Sequence, residues 1–260
     1  MPEGDVIHRT AARLEAALGD EEIVQASAPN PRAGLDRAVG GLVGDRVECV
    51  EARGKHLLIR FAGGRVVHNH LGMKGRWRVG GREGARPSSS RGRGPLPWLV
   101  LETDDVTAIQ TGGSRLRILS DAAIRRDPQL ARLGPDVVEK SFDVDRGVRV
   151  LRSVHPGERI GTALLDQTLL SGIGNIFRCE ACFAAAVSPW CRVSELSDEQ
   201  VLGVVDEAAS LMRASAAGSR PERRVYRRSG KPCPRCGTPV SSRPQGDAAR
   251  MTYWCPGCQR

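Results

Sequence analysis

The chain has 260 residues, a length that can bury a substantial core and suggests about two domains. Its apolar fraction of 40% is ordinary, and no run of about 18 apolar residues exists to cross a membrane. Glu3 and Asp5 interrupt the first residues, which therefore do not read as a signal peptide. We expect a cytoplasmic protein with no membrane partner.

The net charge is +9, and the excess lies at one end of the chain. Residues 213–260 contain eleven Lys/Arg and two Asp/Glu, whereas residues 1–212 carry equal numbers of basic and acidic side chains. A basic excess localised in this way is typical of a surface that binds a polyanion, although a solvated basic surface gives the same pattern. Nucleic acid is the polyanion that we predict first.

The first eighteen residues combine a helix pattern with a possible nucleophile. One apolar stripe has helical spacing and consists of Ile7, Ala11, Leu14 and Leu18. Removal of Met1 would leave Pro2 with a free secondary amine, and an N-terminal amine titrates near pH 8, so part of it can attack an electrophilic carbon. Glu3 is placed beside it as a proton donor and acceptor. The alternative is an ordinary amphipathic first helix with proline at its start.

Residues 20–120 are typical of an antiparallel β-sandwich, because short apolar segments alternate with glycine turns. The predicted strands are 23–28, 46–53, 57–61, 65–70, 75–79, 99–102, 106–110 and 115–119. Residues 80–97 have the composition of a loop. The sequence Arg53-Gly54-Lys55 predicts a hairpin corner that presents Lys55, which could equally be a solvated corner. We predict a first domain over residues 1–120.

Residues 121–135 are predicted to link this domain to a helical domain over residues 136–222. Two helices, 160–170 and 175–185, flank the glycine-rich turn 171–174. The N–H groups that open the second helix could bind a phosphate, or the turn could be structural only. Ser197 to Gln200 has the form of a capping box and predicts a helix to about residue 214.

Residues 223–260 carry a predicted zinc site. Two C-x2-C pairs with eighteen residues between them provide four thiolates at structural-zinc spacing: Cys233, Cys236, Cys255 and Cys258. One structural Zn²⁺ is predicted. Arg250 lies on the strand that returns through this zinc β-hairpin. The other cysteines are predicted to be buried free thiols, and they are Cys49, Cys179, Cys182 and Cys191.

Six segments together resemble one family over nearly the whole chain. They are PEG at 2–4, ARGKHLL at 52–58, HNHLGMKGRWRV at 68–79, LGPDVV at 133–138, LLDQTLLSGIGNIFRCEACF at 164–183, and GKPCPRCGTPV with RMTYWCPGCQ around the cysteines. They resemble the formamidopyrimidine-DNA glycosylase and endonuclease VIII family, and most closely bacterial endonuclease VIII. The resemblance implies an α+β fold with an N-terminal helix and β-sandwich, a helix-two-turn-helix domain and a zinc hairpin.

The resemblance also implies a reaction. Pro2 would attack C1′ of a damaged nucleotide and form a Schiff base, and Glu3 would donate the proton that opens the sugar. The positive charge of the iminium acidifies the C2′ hydrogens, so the same amine could drive base excision and then β,δ-elimination. The implied protein is a bifunctional DNA glycosylase and AP lyase of base excision repair that acts as a monomer on double-stranded DNA containing oxidised bases or abasic sites.

Further site residues follow from the same resemblance. Lys55, Asn175 and Arg250 would hold phosphates of the DNA backbone. Met73 would fill the space left by the extruded base. A core methionine at a strand end is the alternative for Met73.

Three features favour oxidised pyrimidines as the substrate. Asp5 stands near where many family members carry a glutamate. Residues 106–117 lack a clear arginine and aromatic pair of the kind that the family's oxidised-purine enzymes insert opposite the lesion. Residues 217–224 leave little room for the long lesion-capping loop of those enzymes. The first alternative is the same chemistry on oxidised purines. The second is a zinc-containing protein that binds damaged DNA without catalysis.

Overall fold

The computed structural model describes residues 2–31, 34–35, 38–81, 95–220 and 222–260. It divides into two compact units: Pro2 with Val6–Ala131, and Glu3–Asp5 with Arg132–Arg260. Among the described residues, no helix has both the length and the apolar character needed to cross a bilayer.

The first unit contains one long helix, apart from the first two residues of that helix, and two sheets. Helix α1 spans Gly4–Leu18, and the strands are β1 Gln25–Ser27, β2 Val47–Arg53, β3 His56–Phe61, β4 Arg65–His70, β5 Arg76–Gly81, β6 Leu99–Glu102, β7 Val106–Thr111 and β8 Arg115–Ser120. Within the described residues they form two four-stranded antiparallel sheets, ordered β1-β6-β7-β5 and β2-β3-β4-β8. All eight predicted strands are present, with bounds shifted by at most two residues.

Alternation along the strands builds the core of this unit. In β3, Leu57, Ile59 and Phe61 point to the same side and pack with residues of both sheets. The predicted stripe of α1 is buried in the same cluster, with Leu14 and Leu18 fully inaccessible. The β-sandwich prediction is therefore confirmed. The predicted loop 80–97 begins within β5, and its residues 82–94 lie outside the described part of the chain.

Two short helices follow β8 where a linker is predicted. Helix α2 spans Asp121–Arg125 and α3 spans Pro128–Ala131. The Ser120 hydroxyl caps α2 by accepting a hydrogen bond from the Ala123 N–H at 3.2 Å. Each helix buries one large apolar side chain, Ile124 in α2 and Leu130 in α3. A five-residue and a four-residue helix show too little periodicity for sequence analysis to detect.

The second unit is helical up to its last forty residues. Its helices are α4 Val144–Arg152, α5 Ile160–Ala163, α6 Asn175–Ala184 and α7 Asp198–Ala216. The capping box of α7 is confirmed, because Ser197 and Gln200 each accept a hydrogen bond from the backbone N–H of the other. Helix α4 was not predicted.

The predicted helix 160–170 is wrong beyond its first turn. Helix α5 ends at Ala163, and the chain then turns repeatedly as far as Gly174. The Asp166 side chain accepts hydrogen bonds from the Thr168 N–H at 2.8 Å and the Thr168 hydroxyl at 2.7 Å, which favours a turn over a continuing helix.

The chain ends in an antiparallel hairpin of β9 Ser241–Gln245 and β10 Arg250–Trp254. Arg250 pairs with Gln245 and Trp254 pairs with Ser241. The two cysteine pairs lie on either side of this hairpin in sequence. The fold predicted for residues 223–260 is thus present.

Candidate functional site

Glu3 is buried at the N-terminus of α6. Its two carboxylate oxygens accept hydrogen bonds from the backbone N–H groups of Ile176 at 2.8 Å and Phe177 at 3.3 Å. These donors belong to the first turn of the helix, and N–H groups of a first turn have no hydrogen-bond partner within the helix. The prediction that this turn offers free N–H groups to a phosphate is therefore wrong for these two donors, because Glu3 already occupies them.

Gly174 makes room for the Glu3 side chain. A Cβ on Gly174 would lie 2.2 Å from Cδ of Glu3, which is far inside van der Waals contact. The backbone of Gly174 is extended (φ −122°, ψ −166°), so the residue is required for space and not for its backbone conformation. The structural role of the glycine-rich turn is thus to admit a carboxylate.

Gln167 holds the turn that precedes α6. Its amide nitrogen donates to the carbonyls of Leu165 at 2.9 Å and Ile173 at 3.0 Å, and its oxygen accepts from the Gly172 N–H at 3.1 Å. The Gly172 carbonyl in turn accepts from the N–H of Gly4, the residue after Glu3. Gln167 was not predicted, since a single glutamine within a helical pattern carries no signal.

Asp5 is also buried, two residues after Glu3. Its carboxylate accepts a hydrogen bond of 2.5 Å from the hydroxyl of Ser215 in α7. Glu3 and Asp5 belong to the second unit and have separate partners within it, and both are held away from solvent.

Lys55 lies in a two-residue turn between β2 and β3, as predicted. Arg53 pairs with His56 across the turn, and Gly54 takes a positive φ of +57° that glycine tolerates. The Lys55 side chain is half-buried. Its location at a hairpin corner is confirmed, and its chemical role stays a prediction.

Met73 is the most exposed large apolar side chain among the described residues, at 76% of its maximal accessibility. It lies in the turn between β4 and β5, whereas its neighbour Leu71 is buried at 2%. The alternative of a core methionine is therefore wrong.

The turn between β7 and β8 has three residues, 112–114, and Gly113 approaches the His70 carbonyl.

Asn175 begins α6 and is tied to the terminal hairpin. Its amide nitrogen donates to the Met251 carbonyl at 2.9 Å, and its oxygen accepts from the Arg178 guanidinium. One N–H of this amide remains for a further acceptor. Arg250 begins β10 with its side chain exposed. The structure therefore brings Asn175 to the strand that carries Arg250.

Arg178 is the largest fully buried side chain of the described chain. Its guanidinium also lies 3.4 Å from the Gly161 carbonyl, 3.4 Å from the Gln245 side-chain oxygen and 3.5 Å from the Arg250 carbonyl. Burial lowers the pKa of Arg178. Arg178 links α6 to both strands of the hairpin. Its role was not predicted, because burial of an arginine cannot be read from composition.

The four predicted metal ligands lie together. Their sulfur atoms are all within 4.8 Å of one another, with 3.9 Å between Cys233 and Cys258 and 3.5 Å between Cys236 and Cys255. Four thiolates around one tetrahedral zinc lie about 3.8 Å apart, since each Zn–S bond is about 2.3 Å. The cluster could therefore hold a metal ion.

Two side chains fasten this segment to α6. The buried Glu180 carboxylate accepts the N–H groups of residues 224, 225 and 226 at 2.8–3.1 Å. Arg235, between two of the cysteines, donates to the Phe183 carbonyl at 2.7 Å and the Ala184 carbonyl at 2.9 Å at the end of α6. Burial raises the pKa of Glu180, and its three N–H partners oppose that rise.

The remaining cysteines differ in burial. Cys179 and Cys182 are buried free thiols, as predicted, and burial raises the pKa of Cys179 to about 11. Cys49 and Cys191 are only partly buried, so the prediction is wrong in that respect.

Two family profiles cover most of the chain. The formamidopyrimidine-DNA glycosylase N-terminal domain matches residues 1–118, and the formamidopyrimidine-DNA glycosylase H2TH domain matches residues 133–222. A probable endonuclease 8 2 of Streptomyces coelicolor is 38% identical over 100% of this chain and 94% of its own length. The chain belongs to the formamidopyrimidine-DNA glycosylase and endonuclease VIII family.

Two further relatives match over nearly the whole length of both proteins. The DNA-(apurinic or apyrimidinic site) lyase Nei2 of Mycolicibacterium smegmatis is 36% identical over 100% of the chain and 99% of its own length. Endonuclease 8 of Klebsiella pneumoniae is 32% identical over the whole of both chains.

Solved structures show the same fold. Formamidopyrimidine-DNA glycosylase of Lactococcus lactis, in complex with DNA containing N7-benzyl-Fapy-dG, superposes with a TM-score of 0.83 over 100% of both chains at 23% identity. The same protein bound to DNA containing an abasic site gives a TM-score of 0.83 over 99% of each chain at 24% identity. The fold of this family member is thus that of the family, as its sequence implied.

Proposed function

We propose that this protein is a bifunctional DNA glycosylase and AP lyase that removes oxidised bases from double-stranded DNA through a Schiff base at Pro2. The observation that carries the proposal is the fixed carboxylate of Glu3, which two backbone N–H groups hold at the residue next to Pro2. A protein that only binds damaged DNA needs neither an N-terminal amine nor a buried carboxylate beside it.

The reaction begins at the Pro2 nitrogen once Met1 has been removed. The nitrogen lone pair attacks C1′ as the glycosidic bond breaks, and the damaged base leaves with the electrons of that bond and takes up a proton as the nitrogen loses its own. Glu3 then donates a proton to the ring oxygen as the C1′–O4′ bond breaks, and the nitrogen lone pair forms the second C1′–N bond of the iminium. The resulting iminium withdraws electrons from C2′, so loss of a C2′ proton breaks the C3′–O3′ bond. A second elimination breaks the bond to O5′, and water then releases the sugar fragment from Pro2.

Lys55, Asn175 and Arg250 are proposed to bind DNA phosphates. The half-buried turn of Lys55, the amide N–H that Asn175 retains and the exposed Arg250 support this assignment. Such contacts position the DNA without reading its sequence. Met73 is proposed to enter the base stack, which its exposure permits.

Oxidised pyrimidines are the proposed substrates. The three-residue turn between β7 and β8 and the short segment after α7 support this preference, since neither offers a long loop to contact the lesion or its partner base. Faster excision of 8-oxoguanine than of thymine glycol from matched duplexes would favour oxidised purines instead.

The four-cysteine cluster is proposed to hold one Zn²⁺. Thiolates are the ligands that structural zinc prefers, and the metal would fix the hairpin that carries Arg250. The ion has no part in the chemistry at C1′.

Borohydride trapping on a duplex with an abasic site tests the proposal. The mature protein should form a covalent adduct and nick the strand. A form with one extra residue before Pro2 should do neither, because its Pro2 nitrogen is an amide. An equally abundant adduct in the extended form would exclude Pro2. A gel shift without nicking by the mature protein would favour the non-catalytic alternative.

A further inference from the structure

A series of hydrogen bonds runs across one face of the β2-β3-β4-β8 sheet, and three of its four members are buried. Asp127 accepts a hydrogen bond of 2.5 Å from Arg117, whose same nitrogen lies 3.0 Å from Nδ1 of His68. Nε2 of His68 lies 2.8 Å from Nδ1 of His56. His56 immediately follows Lys55, so this series of hydrogen bonds ends beside the proposed phosphate-binding turn.

The donors and acceptors of this chain can point in only one direction. Arginine only donates, so Nδ1 of His68 must accept and the hydrogen of His68 must lie on Nε2. His68 therefore donates to Nδ1 of His56, whose own hydrogen must lie on Nε2. Both histidines are neutral, and burial lowers the pKa of His56 to about 3 and that of His68 to about 4. The arrangement fixes the orientation of both rings.

The series of hydrogen bonds is also fixed where it ends at Asp127. The other carboxylate oxygen of Asp127 accepts the N–H groups of Gln129 at 2.9 Å and Leu130 at 3.3 Å in α3. His68 and Asp127 are 0% and 7% exposed. The hydrogen bonds thus connect helix α3 to the hairpin of Lys55 through two buried histidines and a buried aspartate, while the Arg117 side chain between them is 38% exposed.

The same face of β3 has a second anchor at its opposite end. Arg60 forms ion pairs with Glu51, at 2.6 Å, and with Asp121. This anchor lies near the end of β3 that is farther from Lys55. The sheet would therefore remain attached at one end if the histidine chain were lost.

We infer that His68 and Asp127 are positioning residues, which hold His56 and thereby the turn that presents Lys55 to a DNA phosphate. The inference rests on the proposed function of Lys55. Its physical basis is preorganisation, since a lysine on a fixed turn loses less freedom when it binds a phosphate than one on a turn that moves. In this proposal His68 and Asp127 act through His56 and the turn, and they have no contact with the reacting atoms.

The test is a double-mutant cycle read from DNA binding. His68→Leu, Lys55→Ala and their combination are compared for affinity to a duplex with a tetrahydrofuran abasic-site analogue at several salt concentrations. Lys55→Ala should weaken binding about tenfold and reduce the slope of log affinity against log salt by about 0.9, the value for one phosphate contact. His68→Leu should reproduce much of both effects and add little to Lys55→Ala.

His68→Gln provides the rescue. Its side chain keeps one donor and one acceptor, so it should bind within about twofold of the native protein. Arg60→Gln is the matched control, because it removes the anchor at the other end of β3 and should leave the salt slope unchanged. Asp127→Asn tests the same chain if His68→Leu does not fold.

The outcomes separate the two ideas. Unchanged affinity and salt slope in Lys55→Ala would remove the proposed function of Lys55. Weakening by Lys55→Ala, with His68→Leu either neutral or fully additive to it, would overturn the positioning role and leave Lys55 as a phosphate ligand.

Discussion

Glu3 occupies a place that an external anion could otherwise take. The N-terminus of a helix attracts negative charge because its first N–H groups are unpaired and aligned with the helix dipole. In this protein, two of those N–H groups in α6 bind Glu3. A phosphate near this helix would therefore be bound by side chains such as Asn175, and the helix instead fixes the proposed proton donor.

Gly174→Ala should reduce activity and lower stability by about 1–3 kcal/mol, the usual cost of a buried polar group left without its partners. The new methyl group would meet the end of the Glu3 side chain, which can move away only by giving up its N–H partners. We expect nicking at an abasic site to slow by at least about tenfold, within the range for loss of a general acid. Gly203→Ala in α7, where a Cβ meets nothing closer than 3.8 Å, is the control. Equal nicking rates in the two variants would contradict the prediction.

Met73→Ala should slow excision and leave folding unchanged. The side chain is mostly exposed, and exposed substitutions usually change stability by less than about 0.5 kcal/mol. Loss of an apolar wedge should instead disfavour the extruded base. Excision from a duplex should therefore fall more than excision from a single strand, as measured by single-turnover kinetics. An equal fall on both substrates would argue against a wedge.

At the scale of elements, α6 has tertiary contacts at its start, its middle and its end. Glu3 lies at its start, Arg178 and Glu180 connect its middle to the hairpin and to residues 224–226, and Arg235 binds its last carbonyls. Helices gain most of their stability from such tertiary contacts, because a ten-residue helix is marginal alone. The helix can therefore serve as a rigid base for Asn175.

The histidines of β3 and β4 make stability depend on pH. In the folded state His56 and His68 have pKa values of about 3 and 4, against 6.5 without perturbation. Burial is the main cause for both. For His56 the next cause is repulsion by His68 and His70, for His68 it is repulsion by Arg117, and Asp127 opposes the lowering of both pKa values. Between the folded pKa values and 6.5, the unfolded protein binds more protons at these histidines than the folded protein does. The stability that the neutral histidines allow is therefore complete above about pH 6.5 and is lost as the pH falls toward 4.

Hydrogen exchange of the β3 and β4 amides should show this dependence. The free energy of opening should fall by up to about 1.4 kcal/mol per pH unit for each histidine as the pH decreases below 6.5. His68→Gln should have a smaller slope, since glutamine does not titrate. An identical slope in native and His68→Gln proteins would show that other groups cause the pH dependence.

At the scale of the whole molecule, charge and metal are concentrated in the same segment. Residues 213–260 carry the entire net charge of +9 and the four clustered cysteines. Apart from a small cluster that includes Val225, Val240 and two of those cysteines, this segment has little core of its own. The first unit has a separate apolar core around the sandwich.

Native mass spectrometry should find one zinc per chain, and its removal should affect the two units differently. Chelation should release the β9–β10 hairpin and weaken DNA binding at least about tenfold, because the basic segment loses its structure. Amides of β3 and β4 should stay protected from exchange, since their core does not include the cysteines. Unchanged DNA affinity in the metal-free protein would contradict this prediction.

The sequence by itself determined the strands, the stripe of α1, the capping box of α7 and the cysteine cluster. Each of these depends on residues close together in the chain, or on a spacing that only one ligand geometry explains. The motifs also indicated the family and the proposed roles of Pro2 and Glu3. The end of α5 at Ala163 was not predictable, because it depends on how Asp166 and Gln167 use their side chains.

Only the tertiary structure decided the partners of the buried polar groups. Glu3 meets α6 across more than 170 residues of sequence, and His56 meets His68 across a strand pair. A buried polar group must find a hydrogen-bond partner, but the sequence does not say which one. That choice is made by the packing of distant elements, which is why the anion at the start of α6 was expected to be a phosphate and is a carboxylate of the chain itself.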